Sequence, residues 1–323
     1  MKHSGVQNPT SHQQPILEPM KIFVGFGDYP LTTKALKEAG AEIVDSLEKA
    51  EGFVFTQTPG TEFPPLPDQV RWVQFPNAGL NAYFTAGQID DKRRWSNASG
   101  VYGQQVAEAA MGLLLGLIHM HPTMVRADSW APRSQVDQQT RWLDGATVAI
   151  VGAGGIGKHL AAMVKPFGAK SLAVSRTGNP TQDFDATAPI SNLHQALADA
   201  DHVVLCVPLT ADTHHLIGQA ELKAMKPTAT LINVARGEVV DTKALVNALD
   251  AQEISGAGLD VTDPEPLPDG HPLWGRSNVI ITPHVANTLT SMDRMLAPVV
   301  AENYRRFLAG EKMLTEVDIH KGY

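Results

Sequence analysis

The run TVAIVGAGGIGKHLAAMV, beginning at Thr147, constrains the fold more than any other part of the chain. An apolar β-run, Thr147–Val151, leads straight into Gly152, Gly154 and Gly157 in the spacing G-x-G-x-x-G, and a helical pattern follows at once. Strand, glycine loop and helix in that order separate a dinucleotide-binding turn from a chance cluster of glycines. The first glycine permits the tight turn, the second lets the backbone approach a pyrophosphate, and the third lets the helix lie close to the strand. The helix N-terminus then offers free N–H groups and a partial positive charge. Gly155 and Ile156, inside the loop, join the expected cofactor contacts.

Short β-rich runs alternate with helical patterns on both sides of this loop. Before it come KIFVGF (Lys21–Phe26), AEIV (Ala41–Val44), GFVF (Gly52–Phe55) and RWVQF (Arg71–Phe75). After residue 145 come six, TVAIV, SLAVS, HVVLCV, TLINV, GAGLDV and NVIIT. Continuous apolar strands separated by helices predict parallel sheets covered on both faces, an α/β chain. Six strands suffice for a Rossmann sheet of two mononucleotide halves. The segment SMDRMLAPVVAENYRRFLAG reads as a helix broken near Pro298 and stopped at Gly310, packing back on the first domain. The helical run Gln104–Met120 is apolar but interrupted by Glu108 and shorter than the ~20 residues of a membrane span. Its small residues Ala109, Ala110, Gly112 and Gly116 permit close packing, within the chain or against a second subunit. The first nineteen residues are polar and lack the apolar core of a signal peptide, so they read as a disordered extension, with Met20 able to serve as the start.

The strand SLAVS ends where an Asp or Glu would accept hydrogen bonds from the adenosine ribose of NAD. Ser175, Arg176 and Thr177 stand there instead. A carboxylate would repel a 2′-phosphate, whereas Arg176 offers a planar fork that binds one, and two hydroxyls flank it. Asp183 and Asp185 come too late to serve as the ribose acid. The pattern predicts NADP(H) in preference to NAD(H), with NAD(H) use possible. Val207, the last residue of the run HVVLCV, Pro208 just after it, and Asp260, past GAGL, complete the expected cofactor contacts.

Arg236, Glu265 and His284 each follow the C-terminal end of a later strand, where ligands bind in open α/β sheets. Their chemistry is complementary. A guanidinium anchors a carboxylate and polarises a carbonyl, an imidazolium delivers a proton, and a carboxylate beside it orients the ring. The formal charge of -8 and the lack of a basic run argue against a nucleic-acid partner. Cys206 is the single cysteine, so no internal disulfide forms, and it reads as a buried strand residue suited to a reducing cytoplasm. His119, His121, His214 and His215 lack convergent ligands, so no metal site is expected. Tyr102 and Trp274 read as packing residues, although Tyr102 falls near the expected nicotinamide edge.

The chain resembles the D-2-hydroxyacid dehydrogenase family from Met20 to its last helix, most strongly over GAGGIG, VPLTADTHHLIG, MKPTATLINVARGEVVDTKAL, GLDVTDPEPLP and ITPHVA. The resemblance implies that Arg236, Glu265 and His284 form the catalytic set. It implies that Asn77, Ala78 and Gly79, in FPNAGLN, hold the substrate carboxylate, the latter two through backbone N–H groups. It implies a flavodoxin-like substrate domain (20–98 and 287–323), a Rossmann cofactor domain (99–286), an interdomain cleft that closes over the substrate, and a homodimer formed around the Gln104–Met120 helix. The expected reaction is reduction of a small 2-oxo acid, glyoxylate or hydroxypyruvate, to the D-2-hydroxy acid. A bulkier 2-oxo acid, or oxidation of 3-phosphoglycerate, stands second, and a nucleotide-sensing corepressor is the non-enzymatic alternative. No tyrosine has a lysine four residues on, which argues against a short-chain dehydrogenase. Glu265 argues against a formate dehydrogenase, whose matching position resembles Gln.

Overall fold

A computed structural model of the chain describes residues 18–57 and 62–320. The extension expected over residues 1–19 therefore lies almost wholly outside the described residues. The chain divides into two units, one running to Asn97 and resuming at Leu296, the other Ala98–Met295. The return falls inside a helix, nine residues beyond the position expected from the sequence.

The first unit holds β1 (Lys21–Gly25), α1 (Pro30–Glu38), β2 (Glu42–Val44), β3 (Gly52–Phe55), β4 (Trp72–Gln74), α2 (Asn81–Thr85) and β5 (Arg94–Ser96). All pairings are parallel, in the order β2-β1-β3-β4-β5. The four residues of β3 are buried, as expected of a central strand covered on both faces. Phe53, Phe55, Phe63, Phe75, Tyr83 and Trp95 form an aromatic core against it. β5 escapes a reading by apolar runs because it is three residues long and begins with a charge. Arg94 grips Glu316 through two hydrogen bonds, Nε at 2.8 Å and Nη2 at 2.7 Å, and its guanidinium lies over the Phe307 ring.

The second unit begins with α3 (Gly103–Ile118), α4 (His121–Ala127) and α5 (Arg133–Gln139). It continues with β6 (Thr147–Val151), α6 (Gly155–Val164), β7 (Lys170–Ser175), β8 (Ala186–Pro189), α7 (Leu193–Asp199) and β9 (His202–Leu205). Then come α8 (Gln219–Ala224), β10 (Thr230–Asn233), α9 (Thr242–Asp250), β11 (Gly256–Leu259) and β12 (Val279–Ile281). The parallel sheet runs β12-β11-β10-β9-β6-β7-β8, so it has seven strands rather than six. The extra one, β8, is an incompletely buried edge strand with no apolar run, and it ends on Pro189, which an edge tolerates. The order reverses between β6 and β9, and the glycine loop leaves β6 at that switch point.

The last helix, α10 (Leu289–Leu308), runs unbroken through Pro298, contrary to the expected break. Leu296, Val300, Ala301 and Tyr304 are buried on either side of the proline and anchor both halves, which offsets one lost backbone hydrogen bond. In the first unit, the Met20 N–H donates to the Tyr304 hydroxyl at 3.3 Å, and Asn303 Nδ2 donates to Gln74 Oε1 at 2.9 Å. Gly310, at φ +69°, ends the helix with its N–H on the Phe307 carbonyl. Among the described residues no helix is long and apolar enough to cross a membrane.

Candidate active site

The glycine loop has the geometry a pyrophosphate requires. Gly152 sits at φ +115°, and a Cβ there would fall 2.7 Å from the Cys206 carbonyl oxygen. A Cβ on Gly157 would lie 2.2 Å from the Gly152 oxygen, so helix and loop are in contact. At Gly154 a Cβ would meet nothing within 4 Å, which leaves the approach to α6 open. No side chain caps α6, so the first N–H groups, Gly155 and Ile156 among them, remain available to an anion. These residues fit a dinucleotide phosphate group.

Beyond β7 the chain turns tightly. Ser175 Oγ accepts the Gly178 N–H at 3.1 Å, and Thr187 Oγ1 donates to the Gly178 carbonyl at 2.8 Å. The Ser175 hydroxyl spends a lone pair on this turn and keeps its proton for donation. Arg176 and Thr177 are exposed on it. The nearby carboxylates are engaged elsewhere. Asp185 accepts the Ser171 N–H and hydroxyl, both at 2.9 Å, and Asp183 pairs with Lys158 at 2.8 Å. Both are held below the usual carboxylate range, Asp185 first by the Ser171 hydrogen bonds and Asp183 first by Lys158. Val207 and Pro208 follow β9 after Cys206, and Thr213 Oγ1 donates to the Pro208 carbonyl at 2.6 Å.

Three loops at the C-terminal ends of the adjacent strands β10, β11 and β12 carry Arg236, Glu265 and His284. His284 Nδ1 and Glu265 Oε1 are 2.7 Å apart. A carboxylate only accepts, so Nδ1 carries the proton and Nε2 is the atom left to meet a substrate. Both side chains are about half exposed, which keeps the pair accessible. His284 adopts φ +52°, a left-handed conformation that costs energy for a residue with a Cβ.

Asp260 explains how that conformation persists. Its carboxylate, in a residue 2% exposed, accepts the Thr282 hydroxyl at 2.6 Å, the Val285 N–H at 2.9 Å and the Ala286 N–H at 3.0 Å. Its carbonyl accepts the His284 N–H at 2.8 Å. Asp260 thus braces the turn that carries His284, a role its position after GAGL did not reveal.

Arg236 is fixed by another buried side chain that went unread in the sequence. Asn233 Nδ2 donates to the Arg236 carbonyl at 2.9 Å, and Asn233 Oδ1 accepts the Ala235 N–H at 3.0 Å. Gly237 then passes against Thr262, whose oxygen lies 1.9 Å from where a Cβ would stand. Arg236 Nη1 donates to the Ala235 carbonyl at 2.6 Å, and no hydrogen bond joins Arg236 to Glu265 or His284. The structure therefore joins His284 to Glu265 and places Arg236 on the neighbouring loop.

In the first unit, FPNAGLN follows β4. Asn97 Nδ2 donates to the Ala78 carbonyl at 2.8 Å, and the planar trans peptide turns the Gly79 N–H the opposite way. The Asn77 amide nitrogen is buried and finds no acceptor among the described residues. Donors without partners suit a carboxylate ligand.

Other expectations fare unevenly. Tyr102 is buried at the start of α3, as a packing residue would be. Trp274 is partly exposed and donates to the Pro268 carbonyl at 3.0 Å. Cys206 lies just beyond β9, and burial pushes its thiol up to about 12. Among the described residues no cluster of three metal-ligating side chains occurs. Of the small residues of α3, Ala110 and Gly116 are buried within the unit, the latter against Ile280, while Gly112 faces outward.

A glycine cradle at a switch point, with an imidazole–carboxylate pair past neighbouring strands, defines the class: a nicotinamide-dinucleotide-dependent dehydrogenase. The model of the D-isomer specific 2-hydroxyacid dehydrogenase NAD-binding domain matches residues 98–286. An uncharacterized protein of Corynebacterium melassecola is 44% identical over 293 residues, 90% of this chain and 96% of that one. A glyoxylate reductase of Thermococcus gammatolerans is 44% identical over 167 residues, 52% of this chain and half of its own length. The crystal structure of a D-isomer specific 2-hydroxyacid dehydrogenase from Xanthobacter autotrophicus, in complex with NADPH and MES, superposes with a TM-score of 0.79 at 28% identity, covering 95% of this chain and all of that one. The chain belongs to the D-isomer specific 2-hydroxyacid dehydrogenase family, and it is an NAD(P)-dependent enzyme that interconverts 2-oxo and 2-hydroxy acids.

Proposed function

We propose that the enzyme reduces a small 2-oxo acid, of the glyoxylate or hydroxypyruvate kind, to the D-2-hydroxy acid, with NADPH preferred over NADH. The observation that carries this reading is the 2.7 Å contact between His284 Nδ1 and Glu265 Oε1, which leaves Nε2 free to serve as an acid. A dinucleotide held by the loop of Gly152, Gly154 and Gly157 would supply a hydride for the carbonyl carbon. His284 Nε2 delivers the proton to the carbonyl oxygen, so one C–H and one O–H bond form as the C=O π bond breaks. Glu265 holds the imidazole in its tautomer and stabilises its cationic form. Arg236 polarises the carbonyl and binds the carboxylate, and the N–H groups of Ala78 and Gly79, with Asn77, hold the same carboxylate. Asp260 serves the cofactor through the loop it braces.

The matching glyoxylate reductase supports a small substrate, and the exposed Arg176 with the free Ser175 proton supports NADPH. We also infer a homodimer. The exposed Val125, Trp130 and Trp142 favour the segment from α4 to the start of β6 as the contact, rather than α3 itself. The test of function is NADPH oxidation at 340 nm with glyoxylate, hydroxypyruvate, pyruvate and phenylpyruvate. Turnover of the small acids is expected, and no turnover on any of them refutes the reading.

A further inference from the structure

Phe26 follows β1 in a conformation that a phenylalanine adopts only under constraint. Its φ is +82°. Gly25 and Gly27 flank it, yet neither has a positive φ, so the turn places its strain on the one residue of the three that has a side chain. A buried threonine enforces this. Thr56 Oγ1 donates to the Gly25 carbonyl at 2.6 Å and accepts the Gly27 N–H at 2.6 Å, bridging the chain across Phe26. The Thr56 N–H also donates to the Gly25 carbonyl at 3.1 Å, and Gln57 Nε2 donates to the Phe26 carbonyl at 3.4 Å.

The ring is held as firmly as the backbone. It stands edge-on to Phe23, Phe53 and Phe55 at 5.7, 6.0 and 6.4 Å between centroids, and the residue is still 52% exposed. A large apolar face is thus fixed in solvent at a cost in backbone energy. Its location gives that cost a use. In the order β2-β1-β3-β4-β5 the strand sequence reverses between β1 and β3. Phe26 follows β1 and Thr56 follows β3, so the pinned turn sits at the carboxyl ends of the two strands that frame the switch point. That is where an open parallel sheet binds its ligand. The loop with the unpartnered Asn77 amide follows β4, the next strand along the same edge.

We propose that Phe26 is a specificity-determining residue, an aromatic wall at the side-chain end of the substrate site that restricts the enzyme to 2-oxo acids with small substituents. The assignment rests on the small-substrate reading above. Thr56 is its positioning residue.

The test compares kcat/KM for glyoxylate, pyruvate, 2-oxoisocaproate and phenylpyruvate, at saturating NADPH, in the wild type, Phe26→Ala, Phe26→Leu and Thr56→Val. Phe26→Ala is expected to raise the phenylpyruvate-to-glyoxylate ratio by about tenfold or more, the scale on which a pocket discriminates by a few methylenes. Phe26→Leu and Thr56→Val shift the ratio the same way by less, with the KM for NADPH near wild type. Phe26→Leu keeps an apolar contact with the aromatic core and decides the matter if the alanine variant does not fold. A wild type that reduces glyoxylate, with variants that leave the ratio unmoved, overturns the wall and spares the functional reading. A wild type inactive on all four acids overturns both.

Discussion

Replacing Asp260 by asparagine separates the brace seen in the structure from the cofactor contact expected from the sequence. The side chain keeps its shape and loses its charge. Oδ1 holds the Thr282 hydroxyl and the Val285 N–H, and Oδ2 holds the Ala286 N–H. The better asparagine orientation keeps its oxygen at the Oδ1 position, so its NH2 faces the Ala286 N–H and leaves that donor without an acceptor. An unsatisfied donor costs about 1–3 kcal/mol, and losing charge assistance costs roughly 1 kcal/mol for each of the two surviving bonds. The sum is about 3–5 kcal/mol. In a unit of this size that lowers Tm by roughly 6–20 °C. Differential scanning calorimetry measures this, and steady-state kinetics follow the fall in kcat as His284 leaves its left-handed position. A Tm within about 2 °C of wild type, with only the KM for NADPH raised, would refute the brace and restore a purely cofactor-binding Asp260.

Further outcomes follow from the same geometry. Arg176→Ala raises the KM for NADPH by about tenfold or more, the loss of about one charge-assisted hydrogen bond, and leaves that for NADH nearly unchanged; parallel kinetics with both cofactors check it. Gly237→Ala drives a Cβ into the Thr262 backbone and yields a markedly less stable protein, read by urea denaturation. Glu265→Gln lowers kcat by about 10–100-fold with NADPH affinity unchanged, because the imidazolium loses its stabilising charge. Burial lowers His202 to about 4 from its ordinary 6.5, so the folded state disfavours the proton that the unfolded chain takes up. Its contribution to stability is complete above about pH 6.5 and is lost as the pH falls toward 4, about 2 kcal/mol by pH 5. Urea melts at pH 7 and pH 5, against a His202→Gln variant that flattens the difference, measure this.

What the sequence discloses is what local chemistry dictates. The strand before Gly152 and the helix after it are adjacent in the chain, so the cradle reads directly. Arg236, Glu265 and His284 announce themselves because each follows an apolar run that becomes a strand, and strand order then sets the three loops side by side. β5 and β8 stay hidden because each is held by its neighbours rather than by its own pattern, β5 by Arg94 reaching Glu316 and β8 as a short, incompletely buried edge on β7. Pro298 misleads because propensity is local, while the burial that carries α10 through it is tertiary. The braces Asn233, Asp260 and Thr56 look like ordinary strand-end polar residues. Their function lies in backbone groups that only the folded chain brings to them.

The most direct test of the acid–base assignment is a single-turnover measurement of NADPH oxidation by glyoxylate in the wild type and His284→Ala, with NADPH binding followed by fluorescence. The account predicts binding within about threefold of wild type and a reduction step slowed by about 10²–10⁴-fold, the range a positioned general acid contributes. A reduction step as fast as in the wild type, with NADPH bound equally well, contradicts it.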